Sequence, residues 1–228
     1  MTDNIVVIFS SHLPDEVNQK FIKHIDNTIG VKHTVVCYPN FNQFSLAEIY
    51  NLGIKNHNNE NAIMVFVHVD IIIKTPNWGK ILLSKFKNKN FQIIGLAGTT
   101  SMLENGMWWE DKSKMCGVVE HSDGFDTWVS EYAKPIKGFI KPVVLVDGVF
   151  IAADCNDIEH NWDENFKGFH FYDVNFSIDN YLAGINIGVT TDIRILHQSV
   201  GRTNEQWETN RLQFVEKYKD ELPITYIV

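Results

Sequence analysis

Apolar residues in the first hundred positions fall alternately into short continuous runs and into helical spacing. The run Ile5 to Phe9 is unbroken, as expected for a strand covered on both faces. After Pro14, the residues Val17, Phe21, Ile22 and Ile25 recur at helical spacing, and Gly30 closes the segment. Thr34 to Tyr38 reads as a second strand, stopped by Pro39 and Asn40. Ser45-Leu46-Ala47-Glu48 has the form of a capping box, and Leu46, Ile49, Tyr50 and Ile54 follow on one helical face. Ile63 to Val67 is a third strand, and a helix around Trp78 to Phe86 precedes a fourth at Phe91 to Gly95. This alternation predicts an α/β fold with an open, mostly parallel central sheet and helices on both faces.

The pattern changes after residue 98. Residues 99 to 140 are rich in Gly, Ser, Trp and charge without a clean period, and are expected to form long loops over one sheet edge. Val143 to Ala153 resumes strand character around Asp147-Gly148, and a helix carrying Tyr172, Phe176 and Leu182 follows. Short strands are expected at Ile185 to Val189 and Ile193 to His197. Thr203-Asn204-Glu205-Gln206 reads as another capping box, opening a last helix through Trp207, Phe214, Val215 and Tyr218. No repeat or linker marks a second unit, so residues 1–228 are expected to form one domain.

Composition narrows the partners. The formal charge of -8 and the scattered Lys and Arg leave no basic stripe, which argues against nucleic acid. An acidic protein that binds a phosphorylated small molecule needs a metal or helix N-termini to offset the charge. Cys37, Cys116 and Cys155 are odd in number and lack CxxC spacing, so neither a disulfide framework nor a zinc knuckle is expected. The apolar stretch Ala62 to Ile73 contains His68 and Asp70 and is too short for a membrane span. No basic leader is visible at the N-terminus, and a soluble, cytoplasmic location is the expectation.

Ligands of open α/β sheets gather at the carboxyl ends of the strands, where the third strand delivers His68-Val69-Asp70. Alternation along an extended segment points His68 and Asp70 to the same side. A hard carboxylate there suits Mg²⁺ or Mn²⁺, which fill their remaining positions with diphosphate oxygens and water. The tripeptide alone is weak, since an Asp capping a turn beside a packed His gives the same text.

The surrounding sequence adds to it. Leu46-Ala47-Glu48-Ile49-Tyr50-Asn51-Leu52-Gly53, then Val65-Phe66-Val67 and His68-Val69-Asp70, resembles the family 2-like glycosyltransferases of the GT-A fold. Further matches follow in order: Gly95 to Thr99, Leu145 to Phe150, Trp162 to Asp173, Gly184, and Ile195 to Gly201. The resemblance runs from about residue 5 to residue 201 and departs at the first position of the DxD-type motif, where His68 replaces Asp.

The resemblance implies a metal-dependent transferase that moves a sugar from a nucleotide-sugar donor, most readily a UDP-sugar, to a hydroxyl of a glycan, glycolipid or protein, with inversion. Residues 1–98 would bind the donor and 99–228 the acceptor. Asp70 and His197 would hold Mn²⁺ or Mg²⁺, with His68 shaping the site. Asp173, at the family's helix-start acid, would be the base, with Asp163 and Glu164 as competitors. Ser10 and Ser11 would meet the nucleotide, Asn40 the base edge, and Asn51 and Arg202 the donor. Asp147 would hydrogen-bond sugar hydroxyls, His170 would contact sugar or phosphate, and Trp108 or Trp109 would stack on a sugar. Each has a structural alternative: Asp147-Gly148 as a turn, His170 as a packed core residue, Arg202 as a surface charge, the tryptophans as a satellite core. A binding module without catalysis and a sugar nucleotidyltransferase are the other readings; the latter wants a Gly-rich basic loop, which Ser10-Ser11-His12-Leu13-Pro14 is not.

Overall fold

The computed structural model describes residues 3–58, 61–132, 136–201 and 203–227. A seven-stranded sheet forms its centre. In spatial order the strands are β10 (Ile140–Val143), β13 (Ile187–Thr190), β5 (Ile93–Gly95), β12 (Phe150–Ala153), β3 (Ile63–Val67), β1 (Asn4–Ser11) and β2 (Lys32–Pro39). β2, β1, β3, β5 and β13 run one way; β12, wedged between β3 and β5, and β10 at the edge run the other. The sheet is thus mostly parallel, as the strand–helix alternation predicts, and it interleaves strands from both halves of the chain.

Alternation along the buried strands sorts two cores. Ile5, Val7 and Phe9 of β1 face α1 (Asp15–Thr28) and α3 (Trp78–Phe86), whose Phe21, Ile25, Trp78 and Leu82 complete one cluster. Val6 and Ile8 face the opposite side, against Leu46, Ile49 and Tyr50 of α2 (Leu46–His57) and Phe176 of α4 (Tyr172–Leu182). Gly53 sits where a Cβ would lie 2.8 Å from Ile8 Cδ1, so glycine is what lets α2 approach β1. The expected capping box at Ser45 and Glu48 is present with both of its hydrogen bonds.

A second sheet runs β11 (Leu145–Val146), β6 (Ala97–Thr99), β8 (Met115–Ser122), β14 (Ile195–His197) and β4 (Ile71–Ile73), with β9 (Thr127–Glu131) paired to β8. This corrects the expectation of long loops over residues 99 to 140. β8 and β9 form an antiparallel hairpin whose β9 is largely exposed, so it carries no apolar alternation to read. β7 (Ser101–Met102) pairs with β15 (Ile224–Thr225) near the C-terminus. A third core, around Met102, Trp108, Phe166 and Phe171, packs against Phe214 and Tyr218 at the end of α5 (Glu205–Lys217).

The expected cap of α5 is displaced by one residue: Asn204, not Thr203, accepts the hydrogen bond, from Trp207 N at 2.8 Å. All three cysteines are free thiols. Among the described residues no helix is long and apolar enough to cross a membrane.

Candidate active site

β3 ends at Val67, and the chain crosses to β4 of the second sheet within three residues, turning through His68-Val69-Asp70. His68 N donates to Val149 O at 3.3 Å, and Asp70 O accepts from Gln198 N at 2.8 Å. β4 pairs antiparallel with β14 so that His197 lies opposite Ile71, which brings it beside Asp70. The sheet switch thus gathers residues 127 positions apart in the sequence. His197 Nε2 is 3.5 Å and His68 Nδ1 3.9 Å from Asp70 Oδ1, and one ligand atom from each of the three falls within 4.8 Å of the others.

Two imidazoles and one hard carboxylate make a donor set that suits a divalent first-row cation. An outer partner holds the His68 ring, while the Ser199 hydroxyl meets His197 on the nitrogen that faces Asp70. His68 Nε2 lies 2.9 Å from the Tyr172 hydroxyl, which lies 3.3 Å from Gly148 O. With Tyr172 donating to that carbonyl, His68 donates through Nε2 and its Nδ1 lone pair faces Asp70, the tautomer a metal requires. Ser199 Oγ is 3.0 Å from His197 Nε2. His68, read from the sequence as shaping the site, presents a ligand atom alongside the other two.

Burial opposes ionisation of Asp70, but the hydrogen bond from His197 and the adjacent imidazoles outweigh it and hold the carboxyl well below the usual range. For His197 burial likewise works against the cation, while the Asp70 carboxylate raises its pKa above the ordinary value. Burial pushes His68 down.

The cluster opens into a cleft of about 800 Å³ that also contains Asp147, Asp173 and the half-buried Trp109 and Trp207. Asp147 Oδ1 accepts from Val149 N at 2.9 Å and Asp173 Oδ2 from Gly148 N at 2.7 Å. A Cβ on residue 148 would stand 2.1 Å from the Tyr172 hydroxyl and 3.1 Å from Asp173 Cβ, so Gly148 permits both contacts. Burial, reinforced by the neighbouring Asp147, pushes Asp173 up to about 7. A carboxylate placed so is a competent base near neutral pH.

Several sequence expectations meet a different environment. Asn40 is 2% exposed, and its amide bonds Ser10 Oγ and Phe44 O while accepting from Gln43 N and Phe44 N. All four of these contacts lie at the end of β1 and in the loop that Asn40 itself opens. Ser11 is buried and accepts from Leu13 N, and Ser10 is the partner of Asn40. Asn51 binds Trp162 N and O and the Glu164 carboxylate, tying α2 to the segment before α4. Asp163 is held by Asn165 and Lys217, and neither it nor Glu164 lines the cleft. Trp108, 7% exposed and part of the third core, still lines the cleft, as does the half-buried Trp109, whose ring is 5.6 Å from that of Trp207. His170 lines the cleft, its pKa lowered by burial. Arg202 lies outside the described residues.

Tyr132, Tyr172, Ser199 and Trp207 line the cleft without having been singled out. Trp207, three residues after the Asn204 cap, was the one the sequence could have offered. His121, opposite His197 across the β14–β8 pair and stacked on Trp128, was hidden by the unread hairpin.

The model of the glycosyltransferase-like family matches residues 6–218. No curated protein matches the sequence. Among solved structures, the crystal structure of GalNAc-T7 with UDP, GalNAc and Mn²⁺ superposes at a TM-score of 0.62 with 9% identity, covering 96% of this chain and 49% of that one. The chain thus spans about half the length of that structure. The crystal structure of A197 from STIV aligns at a TM-score of 0.48 with 11% identity, over 89% of this chain and 98% of that one.

Proposed function

The chain belongs to the glycosyltransferase-like family and has the GT-A fold, and from that premise we propose that it transfers a sugar from a UDP-sugar to a hydroxyl of a glycan, with inversion at the anomeric carbon. The observation that carries the reading is the sharing of one cleft by the His68–Asp70–His197 cluster and the Asp147–Asp173 pair. The UDP and Mn²⁺ of the GalNAc-T7 structure support the choice of donor and cation.

His68, Asp70 and His197 would hold Mn²⁺, which their two imidazoles suit better than Mg²⁺, and which when bound would supply positive charge to the departing diphosphate. Tyr172 orients His68 through the ring nitrogen that does not face Asp70, before any ligand arrives. Asp173 takes the proton from the acceptor hydroxyl as its oxygen bonds to the anomeric carbon; the bond from that carbon to the diphosphate breaks, and its electron pair leaves with UDP. Burial, with repulsion from Asp147 second, keeps Asp173 basic, and Asp147 offers an acceptor to a sugar hydroxyl. Trp109 and Trp207 give apolar faces to the C–H face of the acceptor ring, which favours a carbohydrate over a peptide.

UDP release measured with a panel of UDP-sugars, Mn²⁺ and neutral glycans is the test. Release from at least one donor that requires the cation and rises with acceptor is expected. If no UDP-sugar is turned over with either cation, and UDP fails to raise the melting temperature, the reading is wrong.

A further inference from the structure

Beside the cleft lies a second pocket of about 470 Å³ that none of the chemistry above uses. Phe169, His170 and Asn204 line both hollows, so a single ridge separates them. Both volumes fall within the roughly 300–1,000 Å³ of ordinary ligand sites. The remaining wall is the loop that leads from β2 into α2, together with Glu48, Lys167 and Gln206.

The chemistry of this pocket is that of a neutral polyhydroxylated ligand. Its charged groups, Glu48 and Lys167, face each other at 3.4 Å, and Glu48 is also committed to the capping box. No unpaired cation remains among the described residues of its wall to hold a phosphate. Asn42 and Gln43 make no side-chain hydrogen bond to any described residue, and Gln206 spends only its Nε2, on Asn210. Free amides offer donors and acceptors together, which matches adjacent sugar hydroxyls. Phe44 is 54% and Phe169 44% exposed, and their apolar surface suits pyranose C–H faces.

The loop is also built in advance. The buried Asn40 side chain fastens Gln43 and Phe44 by their backbone, and Asn42 is held at a φ of 59°, a left-handed conformation that costs free energy unless its surroundings enforce it. A loop held this way loses little freedom when a ligand arrives.

We propose that this pocket is a distal acceptor subsite: a neutral oligosaccharide places its reacting unit in the cleft, crosses the Phe169–His170 ridge and seats its following units against Phe44 and the amides of Asn42 and Gln43. The proposal rests on the glycosyl-transfer reading and adds to it that the acceptor is longer than one sugar.

Isothermal titration tests it, using protein loaded with Mn²⁺ and UDP and, as probes, cellotetraose, maltotetraose, chitotetraose and lacto-N-tetraose beside their monosaccharides. At least one tetrasaccharide is expected to bind tenfold or more tightly than its monosaccharide. In the double variant Gln43→Ala, Phe44→Ala that ratio is expected to fall at least tenfold; both side chains are exposed, and an unchanged melting temperature certifies the fold. Tetrasaccharides that bind no better than monosaccharides overturn the proposal, as does a ratio that survives the double variant. A loss of UDP affinity in the variant would place the nucleotide in this pocket instead, and equally overturns it. Should UDP and Mn²⁺ themselves not bind, the donor reading fails separately, and the oligosaccharide series on the bare protein still decides the pocket.

Discussion

Replacing Asp173 by asparagine sets function against stability, and the structure gives both signs. Burial first and Asp147 second lift the carboxyl from its ordinary 3.8 to about 7. At about 1.4 kcal/mol per pH unit, ionising it in the folded protein costs on the order of 4 kcal/mol relative to the unfolded chain. Because the folded value is the higher one, the folded state retains a proton that the unfolded state releases. Stability is therefore lost as pH rises from about 4 through about 7, and the full cost is present above that window. The asparagine amide would keep an acceptor for the Gly148 N–H, now 2.7 Å from Oδ2 of Asp173, while carrying no charge to desolvate and none to be repelled by Asp147. Urea unfolding of the metal-free protein should show Asp173→Asn more stable than wild type at about pH 8, by roughly 1–4 kcal/mol, with the gap closing near pH 4. Transfer should fall by about 10²–10⁴ because the base is gone. A variant equal to or less stable than wild type at pH 8, or a difference that does not change with pH, refutes the assignment of a strained, elevated carboxyl.

Three further outcomes follow from the contacts. In Tyr172→Phe, His68 loses the hydroxyl 2.9 Å from Nε2, and Mn²⁺ affinity measured calorimetrically with UDP should weaken by about 10–100-fold; an unchanged affinity would mean that His68 is oriented by something else. Trp109→Ala should raise the acceptor KM about tenfold, equivalent to about 1.4 kcal/mol, with little change in donor KM, and the reverse split would put this ring on the donor. Asn40→Ala removes a buried amide with four hydrogen-bond contacts and should cost roughly 2–4 kcal/mol in urea unfolding. A stable variant with a raised donor KM would return Asn40 to the nucleotide.

Much of the first hundred residues was legible because parallel strands buried on both faces leave continuous apolar runs and helices leave a period; α3 and β3 fall where the pattern puts them. β8 and β9 were not legible. Five buried residues followed by three half-exposed ones, paired to an exposed partner strand, leave no regular signal. The antiparallel direction of β12 was also hidden, since burial on both faces reads alike in either direction. At the site, Asp70 and His197 announce themselves as strand-end residues, but their meeting depends on the β4–β14 pairing, a long-range contact with no local trace. Three polar residues expected at the donor share one feature. Asn40, Asn51 and Ser11 stand at strand ends or in a motif helix, where a ligand is expected, yet each spends its polar atoms on neighbouring backbone. Sequence reports that an amide is present and not which partner it has already taken.

Mn²⁺ binding followed by electron paramagnetic resonance in the presence of UDP tests most directly whether His68, Asp70 and His197 form the donor-diphosphate metal site. Wild type should bind the cation together with UDP, and Asp70→Ala should weaken that binding at least tenfold, about 1.4 kcal/mol or more. Equal Mn²⁺ affinity in the two proteins, with UDP bound to both, would contradict it.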